Sequence, residues 1–540
     1  MDFSTIVTAL QNPEIYPEQP RKVELVQTHV SAIFLTGEHV YKVKKPVDFG
    51  FLDFTTLEKR NYYCHQEVEL NRRLCPEVYL GVVEIRSRKG QIFLGEGEGE
   101  IIEYAVLMKQ LPQDCMMDRQ LARGGITSAL LRKIAAKVAL FHANAATNTE
   151  ISSYGGIETI RKNVEENFTQ TEKYVSLSLS SATFQDIREN NRLFMQAKLP
   201  LLQKRISSGK IRDCHGDLHL QHVCLTDEIL IFDCIEFNQR FRYSDVAADI
   251  AFLLMDLDFH GYPLLSAELA ASYLDMSRDW PLFLLLNFYK SYRAYVRGKV
   301  ISFRLDDTGI SAEEKDSALQ EARRYFRLAQ HYAKKLTRPA LFITSGLIGT
   351  GKSTVARALS GALDLKWLSS DIIRKELAHL SPQEKRFEKF HQGIYSPDFS
   401  RKTYQTILDR AKAHLAFGSS VVIDASFKKN MDRKEAWSLA RQMDADFLLI
   451  ECQCSEEEIR KRLARRASDE KQPSDGRWEI FAEQKSDFEK VEGLSPDLFL
   501  PLNTKSSVEN CLGAIFRHLL RGAGRELWDQ LRVHSKQFCF

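Results

Sequence analysis

The hydrophobic rhythm of the chain changes twice. Residues about 23–110 carry short apolar runs of strand length around one helical stretch, Tyr62–Leu74. Residues about 112–335 are mainly helical in period. They are interrupted by two short apolar runs, Val223–Leu225 and Ile229–Phe232, on either side of Thr226-Asp227-Glu228, which predicts a hairpin. The segment Ala312–Lys335 reads as one long amphipathic helix rich in Glu, Arg and Lys, and it runs out at Thr337-Arg338-Pro339. From Leu341 the pattern becomes alternation. Apolar runs at 341–345, 365–368, 420–424 and 446–452 are separated by helix-length stretches, which predicts a parallel sheet with helices on its faces.

This pattern predicts a multidomain α/β and α+β protein. Residues 1–335 form a small β lobe followed by a larger helical lobe, and residues 339–540 form a three-layer domain. The long helix is too poor in Gly and Ser for a flexible tether and reads as a rigid connector.

Composition narrows the function classes. A net charge of +3 over 540 residues gives no whole-protein argument for a nucleic-acid or membrane partner. The most apolar stretches, Ile250–Met255 and Leu282–Leu286, are far too short to span a bilayer. Ten cysteines stand singly, without a CxxC pair, and the first twenty residues lack the basic start and apolar run of a signal peptide. A cytoplasmic protein is expected.

The strongest chemical signal is Gly346-Leu347-Ile348-Gly349-Thr350-Gly351-Lys352-Ser353, which fits G-x-x-x-x-G-K-[ST] between a predicted strand and a predicted helix beginning near Thr354. Gly346, Gly349 and Gly351, with Thr350 and Thr354 beside them, let main-chain N–H groups wrap phosphates at a helix N-terminus. Lys352 would reach the β- and γ-phosphates of ATP, and the Ser353 hydroxyl would sit on Mg2+. Val421-Val422-Ile423-Asp424 is a strand ending in an acid suited to organise the metal. Ala425 follows it, not the water-activating glutamate of a motor ATPase. Asp371, just after the second strand, faces the crevice where such sheets bind ligands and could take a proton from an attacking hydroxyl. Arg374 lies one helical turn on. Glu456–Arg466 carries Arg460, Arg462, Arg465 and Arg466, either a mobile lid or a solvated face.

Residues 341–500 resemble the P-loop kinase group that contains polynucleotide kinase, zeta toxins, chloramphenicol phosphotransferase and gluconate kinase. The resemblance implies a three-layer P-loop NTPase fold with Asp371 as catalytic base and Arg374 as substrate contact. It pairs Asp424 with Arg433 in a second element, Arg433 facing substrate, and makes Arg462 or Arg466 the lid arginine.

A second signal is His215-Gly216-Asp217-Leu218-His219-Leu220-Gln221-His222 before the predicted hairpin, with Asp233 after it. A hairpin brings the loops at its two ends together, so Asp217 and Asp233 should converge. Residues 25–300 resemble the aminoglycoside phosphotransferase family, which has the bilobal protein-kinase-like fold. The resemblance implies Asp217 as catalytic base and Asp233 as metal ligand. Lys42 becomes the ATP lysine (Lys44 on the same strand face is the alternative), Glu67 its ion-pair partner, and Glu103–Met108 the adenine hinge. The family places a metal-holding Asn five residues after the catalytic Asp, where this chain has His222. Imidazole suits Mg2+ poorly. One metal could suffice, His222 could bind differently, this lobe could have lost efficient transfer, or His215, His219 and His222 could hold a transition metal. Asp245 and Asp249, one turn apart at a helix start, read as cap and brace for the loop. Lys290, Arg293 and Arg297 share a helical face that could contact an anionic acceptor or could be solvated.

Two ATP- and Mg2+-dependent sites in one chain suggest a bifunctional kinase acting on small-molecule hydroxyl acceptors. The alternatives are a P-loop kinase regulated by a binding module, and a nucleic-acid 5′-hydroxyl kinase, which the charge does not favour.

Overall fold

A computed structural model describes residues 2–384, 386, 388, 391–467 and 477–536. By contact the chain forms two compact units. The first comprises Met1–Ser180, Met195–Leu269 and Tyr292–Leu328; the second comprises Ser181–Phe194, Ala270–Ser291 and Ala329–Phe540.

The first unit opens with strands β1 (Glu24–Gln27), β2 (Ser31–Leu35), β3 (His39–Lys44), β4 (Tyr79–Arg88), β5 (Gln91–Leu94) and β6 (Glu100–Lys109). They form one antiparallel sheet in the order β1-β2-β3-β6-β4-β5. One face is closed by the helix Phe3–Ala9, whose Ile6 packs with Phe34, Tyr41 and Val43. The sequence pattern left that helix out because seven residues span too few turns to show a period. The other face meets the helix Leu57–Asn71 through Cys64, Val68, Tyr79 and Val106. This helix starts earlier than Tyr62 because Thr56 caps it, its hydroxyl accepting the Lys59 N–H at 3.3 Å. Strand period places Lys42 and Lys44 together on the helix side. The segment Glu103–Met108, expected as the hinge, lies inside β6, with Glu103 buried against Arg60 at 2.8 Å. The strand runs on to Lys109, so Glu103–Met108 is paired sheet backbone and not a linker.

The helical part of this unit holds the short strands β7 (Ile211–Asp213), β8 (Val223–Leu225), β9 (Ile229–Ile231) and β10 (Tyr243–Asp245). β8 and β9 form the expected hairpin, and β7 pairs with β10. Every residue of the helix Val246–Phe259 is buried, so it serves as the central post of the lobe.

The second unit contains a five-stranded parallel sheet, β12-β13-β11-β14-β15, from β11 (Ala340–Ser345), β12 (Lys366–Ser369), β13 (Val421–Asp424), β14 (Asp446–Gln453) and β15 (Phe499–Asn503). Buried Leu341, Ile343, Val421, Ile423 and Leu449 pack against Ile407, Ala411, Ala436 and Ala440. The pattern predicted four of these strands within a residue or so. It missed β15, where Pro501 interrupts a short run; the strand survives because it is at the sheet edge, where a missing N–H is tolerated. The helix Val508–Lys536 returns to this unit, with Phe516 stacked on Trp280 at 5.2 Å and Arg517 paired to Asp275 at 2.7 Å. Among the described residues no helix is long and apolar enough to cross a membrane.

All five tryptophans, Trp280, Trp367, Trp437, Trp478 and Trp528, lie in the second unit, so their fluorescence follows its unfolding alone. Ile343→Ala, at a site with no exposure, should lower that unit's stability by about 2–5 kcal/mol in urea titrations read by tryptophan emission. An unchanged midpoint would mean that the strand preceding the glycine loop is not core.

Candidate active sites

In the first unit, two carboxylates of the central helix, Asp249 and Asp256, hold the loop after β7. Asp249 accepts the His215 and Gly216 N–H groups at 3.0 and 2.8 Å and contacts His142 Nε2 at 3.1 Å. Asp245 caps the helix through the Ala247 N–H at 2.9 Å and pairs with Arg205 at 2.6 Å. Asp256, which sequence reasoning missed, accepts the Leu220 N–H at 3.0 Å. Its seven-residue spacing from Asp249 was the available signal: it puts both acids on one helical face. Gly216 takes φ +86 with Phe241 O only 3.1 Å from where a Cβ would stand, so a side chain there would be both strained and crowded.

This bracing brings Asp217 and Asp233 to either side of His222. The His222 Nδ1 lies 3.6 Å from the Asp217 carboxylate, and its Nε2 lies 3.3 Å from Asp233 Oδ2. The other Asp233 oxygen accepts from Lys42 Nζ at 2.6 Å, and Lys42 also reaches Glu67 at 2.8 Å. Lys44 does not merely duplicate Lys42. It donates to the second Glu67 oxygen at 2.7 Å and also pairs with Glu236. Burial opposes ionisation of Asp233, but the charge and hydrogen bond of Lys42 outweigh it and hold the carboxyl well below its usual range. For Asp217 burial is likewise outweighed, here by His219, His222 and Arg293. Burial and the neighbouring His219 push His222 down to about 4, despite both aspartates. Arg293 is buried, donates to Ala248 O at 3.2 Å and lies 4.8 Å from the Phe252 ring, with its charge felt at Asp217. The helical stripe does not act as one surface: Arg297 stacks on Tyr325, and Lys290 on Tyr332.

In the second unit, β11 runs into the glycine loop and the helix Lys352–Leu363 leaves it. Gly346 takes φ +133, and a Cβ there would meet Cys452 O at 2.5 Å; one on Gly349 (φ +77) would meet Ile459 at 2.9 Å. The cradle therefore admits main chain and nothing larger. Thr350 Oγ1 and Lys352 Nζ donate to Leu347 O at 2.7 and 2.8 Å. Thr354 is exposed at the helix start. Asp424, at the end of β13, is 5% exposed. Burial and the neighbouring Asp371 push its carboxyl up, against a hydrogen bond from Ser353 and the charge of Lys352. Parallel register sets Ser369 beside Asp424, so Asp371 follows on the same edge of the sheet. Lys352, Ser353, Asp371 and Asp424 thus meet as the motifs predicted.

The arginines fare differently. Arg433 is a correction. It is 2% exposed and its guanidinium donates to Phe427 O at 2.7 Å, Asn430 Oδ1 at 2.9 Å and Lys428 O at 3.2 Å, so it clamps the loop after β13 and faces no substrate. Arg374 is buried over the Tyr395 ring and donates to Ile394 O at 2.6 Å and Ser400 Oγ at 3.1 Å. Arg462 is committed too, to Glu458 at 2.8 Å and to Thr504 O at 2.6 Å, while Thr504 Oγ1 donates to Thr350 O at 2.6 Å. It ties the arginine helix to the glycine loop. The side chain of Arg466 lies outside the described residues. Two contacts of the glycine loop had no sequence signal: Thr504, at the end of the unforeseen β15, and Gln484, whose Oε1 accepts the Ile348 N–H at 2.6 Å.

The donor chemistry decides which cations fit. Ser353 and Asp424 offer oxygen donors beside a glycine cradle, a set suited to Mg2+ on a nucleotide. In the first unit Asp233 offers oxygen, but His222 stands where a second oxygen donor is expected, and the set fits Mg2+ poorly.

The depressed imidazole has a pH signature. Between its ordinary value of 6.5 and about 4, the unfolded chain takes a proton at His222 that the folded loop does not. Stability is therefore full above that window and falls as pH falls through it, by up to about 2 kcal/mol at about pH 5. Asp217 and Asp233 titrate lower still and add nothing there. Amide exchange in β8 and β9, corrected for intrinsic rates, should lose protection from about pH 7 to about pH 5, and His222→Asn should reduce the change, the remainder coming from His215, which burial also pushes down. Equal protection at both would show His222 is not buried neutral.

Comparison with known proteins gives the family. The Phosphotransferase enzyme family matches residues 91–285, and an AAA domain family matches residues 341–491. Uncharacterized proteins of Mycobacterium bovis and Mycobacterium tuberculosis are 30% identical over 446 residues, 82% of this chain and 86% of theirs. Among solved structures, an amicoumacin kinase in complex with AMP-PNP, Ca2+ and its ligand is 15% identical over 61% of this chain and 94% of its own, TM-score 0.39. A putative kinase from Chloroflexus aurantiacus is 20% identical over 34% of this chain and 98% of its own, TM-score 0.28. The chain belongs to one family with the mycobacterial proteins, and in it a phosphotransferase-family domain of kinase-like fold precedes a P-loop kinase domain of the AAA type.

Proposed function

We propose that the protein is an ATP-dependent phosphotransferase with two transfer sites, each moving a γ-phosphoryl group to a hydroxyl of a small-molecule acceptor. The observation that carries this reading is the meeting of Lys352, Ser353, Asp371 and Asp424 at the carboxyl edge of a parallel sheet. The Asp217–Asp233–Lys42 constellation supports the second site.

ATP supplies the phosphoryl group, and a bound dication neutralises its charge. Everything else falls to this chain. Main-chain amides of 346–353 and the Lys352 ammonium bind phosphate oxygens, and Ser353 and Asp424 hold the metal side. Asp371 accepts the proton of the attacking hydroxyl. Arg374, fixed on Ile394 and Ser400, shapes the wall next to Asp371. In the first unit Lys42, oriented by Glu67, binds phosphate, and Asp217 accepts the acceptor's proton while His219, with His222 and Arg293 adding less, keeps it ionised. Cytoplasmic residence is part of the proposal: the nine described cysteines are free and mostly buried, which suits a reducing compartment.

One observation favours a second reading. His222 in place of an oxygen ligand would let the first unit bind nucleotide and regulate the second without efficient transfer. The test separates the two. With labelled ATP and a panel of metabolites, Asp371→Asn and Asp217→Asn should each lower kcat about 10²–10⁴-fold for its own acceptor, with nucleotide affinity kept. Loss of all transfer in Asp371→Asn alone supports the regulatory reading. Undiminished transfer in both variants overturns both.

A further inference from the structure

The hydrogen-bond roles of the three imidazoles after β7 are individually determined, and only one leaves a lone pair without a donor. His215 Nε2 faces Phe232 O at 2.9 Å, and its Nδ1 accepts the Asp217 N–H at 3.3 Å. His219 Nδ1 accepts the Gln221 N–H at 3.3 Å, which leaves its Nε2–H for Asp217 Oδ2 at 3.4 Å. Both rings are thus self-consistent neutral tautomers with nothing spare for a cation. His222 differs. Its Nδ1 lies 2.8 Å from the main-chain O of Asp217, and a carbonyl can only accept, so Nδ1 carries the proton. The lone pair is then on Nε2, and it points at Asp233 Oδ2 from 3.3 Å. Two acceptors face each other.

A cation between them removes the conflict, and the spacing is right for one. Bonds of about 2.0–2.2 Å to an imidazole nitrogen and a carboxylate oxygen, at angles from octahedral to tetrahedral, hold the two donors about 2.8–3.6 Å apart. The main-chain carbonyl on Nδ1 is the outer partner that metal-ligating histidines ordinarily use to fix the tautomer. Lys42 occupies Asp233 Oδ1 only, so Oδ2 is the oxygen left for a metal. The His219 ring, 3.9 Å from that of His222 between centroids, blocks rotation away from this position.

We propose that the first unit holds a first-row transition-metal dication of the Mn2+ to Zn2+ series through His222 Nε2 and Asp233 Oδ2, in preference to Mg2+. A mixed nitrogen–oxygen pair selects such ions, whereas Mg2+ seeks oxygen alone. The two units of one chain then differ in metal: oxygen donors at Ser353 and Asp424, nitrogen and oxygen at His222 and Asp233. The proposal rests on reading Asp217 and Asp233 as phosphotransferase carboxylates, so its test uses metal alone and does not depend on transfer.

The full-length protein, free of nucleotide, is titrated with Co2+ by visible absorption, alone and in excess Mg2+. The wild type should bind Co2+ and keep it against Mg2+. His222→Asn, which installs an oxygen donor, should weaken Co2+ by about tenfold or more. His222→Gln should do the same, with far-ultraviolet circular dichroism unchanged. Histidine NMR of the wild type gives a reading free of any variant: Co2+ should displace or broaden one imidazole of the loop before the buried ring of His142. No binding by the wild type would mean that a second proton sits on Nε2 and would overturn the proposal. So would equal Co2+ affinity in wild type and His222→Asn, which places the ion elsewhere, or displacement by Mg2+ at matched concentration.

Discussion

Lys42 and Lys44 project from one strand face, Lys44 fully buried and Lys42 largely so, and both find the same carboxylate, Glu67. The glutamate has no exposure at all. A buried charge without a counter-charge costs several kcal/mol, and breaking such a pair typically costs about 3–5 kcal/mol. The sheet, the helix Leu57–Asn71 and the segment after β9 are therefore bound to one arrangement. Lys42 then extends to Asp233 and Lys44 to Glu236, so the strand that presents the lysines also sets both carboxylates after β9. Burial would push both acids up; the lysines hold Glu67 and Asp233 down, ionised and ready for a cation.

The second unit solves the same problem with main chain. A parallel sheet delivers its strand ends to one edge, and the glycine loop turns there because no side chain fits between it and Cys452 O or Ile459. Its charged groups come in pairs as well: Ser353 with Asp424, Arg462 with the Thr504 that also bonds the loop. Arg433 shows the limit of reading roles from charge. A guanidinium donating to two main-chain carbonyls and an Asn side chain is a strut for the loop after β13.

Much of this was legible in the sequence where a residue type has one cheap use. Gly-rich loops before Lys-Ser, an acid ending a strand, and His-Gly-Asp before a hairpin each specify a local geometry, and each is found in place. The Asp217–Asp233 convergence followed from hairpin closure alone. What stayed hidden depends on long-range partners. β15 contains a proline that only its edge position permits, so Thr504 at its end could not be foreseen. Glu103–Met108 was expected as a linker and is strand, because an apolar strand end and a linker look alike in one dimension. Arg374 and Arg462 sit at the expected positions, yet their partners, Ile394 and Thr504, are twenty and forty-two residues away and carry no spacing signal.

The central claim is that one chain carries two independent nucleotide sites on unrelated folds. Calorimetric titration of the full-length protein with a non-hydrolysable ATP analogue tests it most directly. The account predicts a stoichiometry of two, reduced to one by Lys352→Ala and, separately, to one by Lys42→Ala. A stoichiometry of one that Lys42→Ala leaves untouched, or no binding at all, would contradict it.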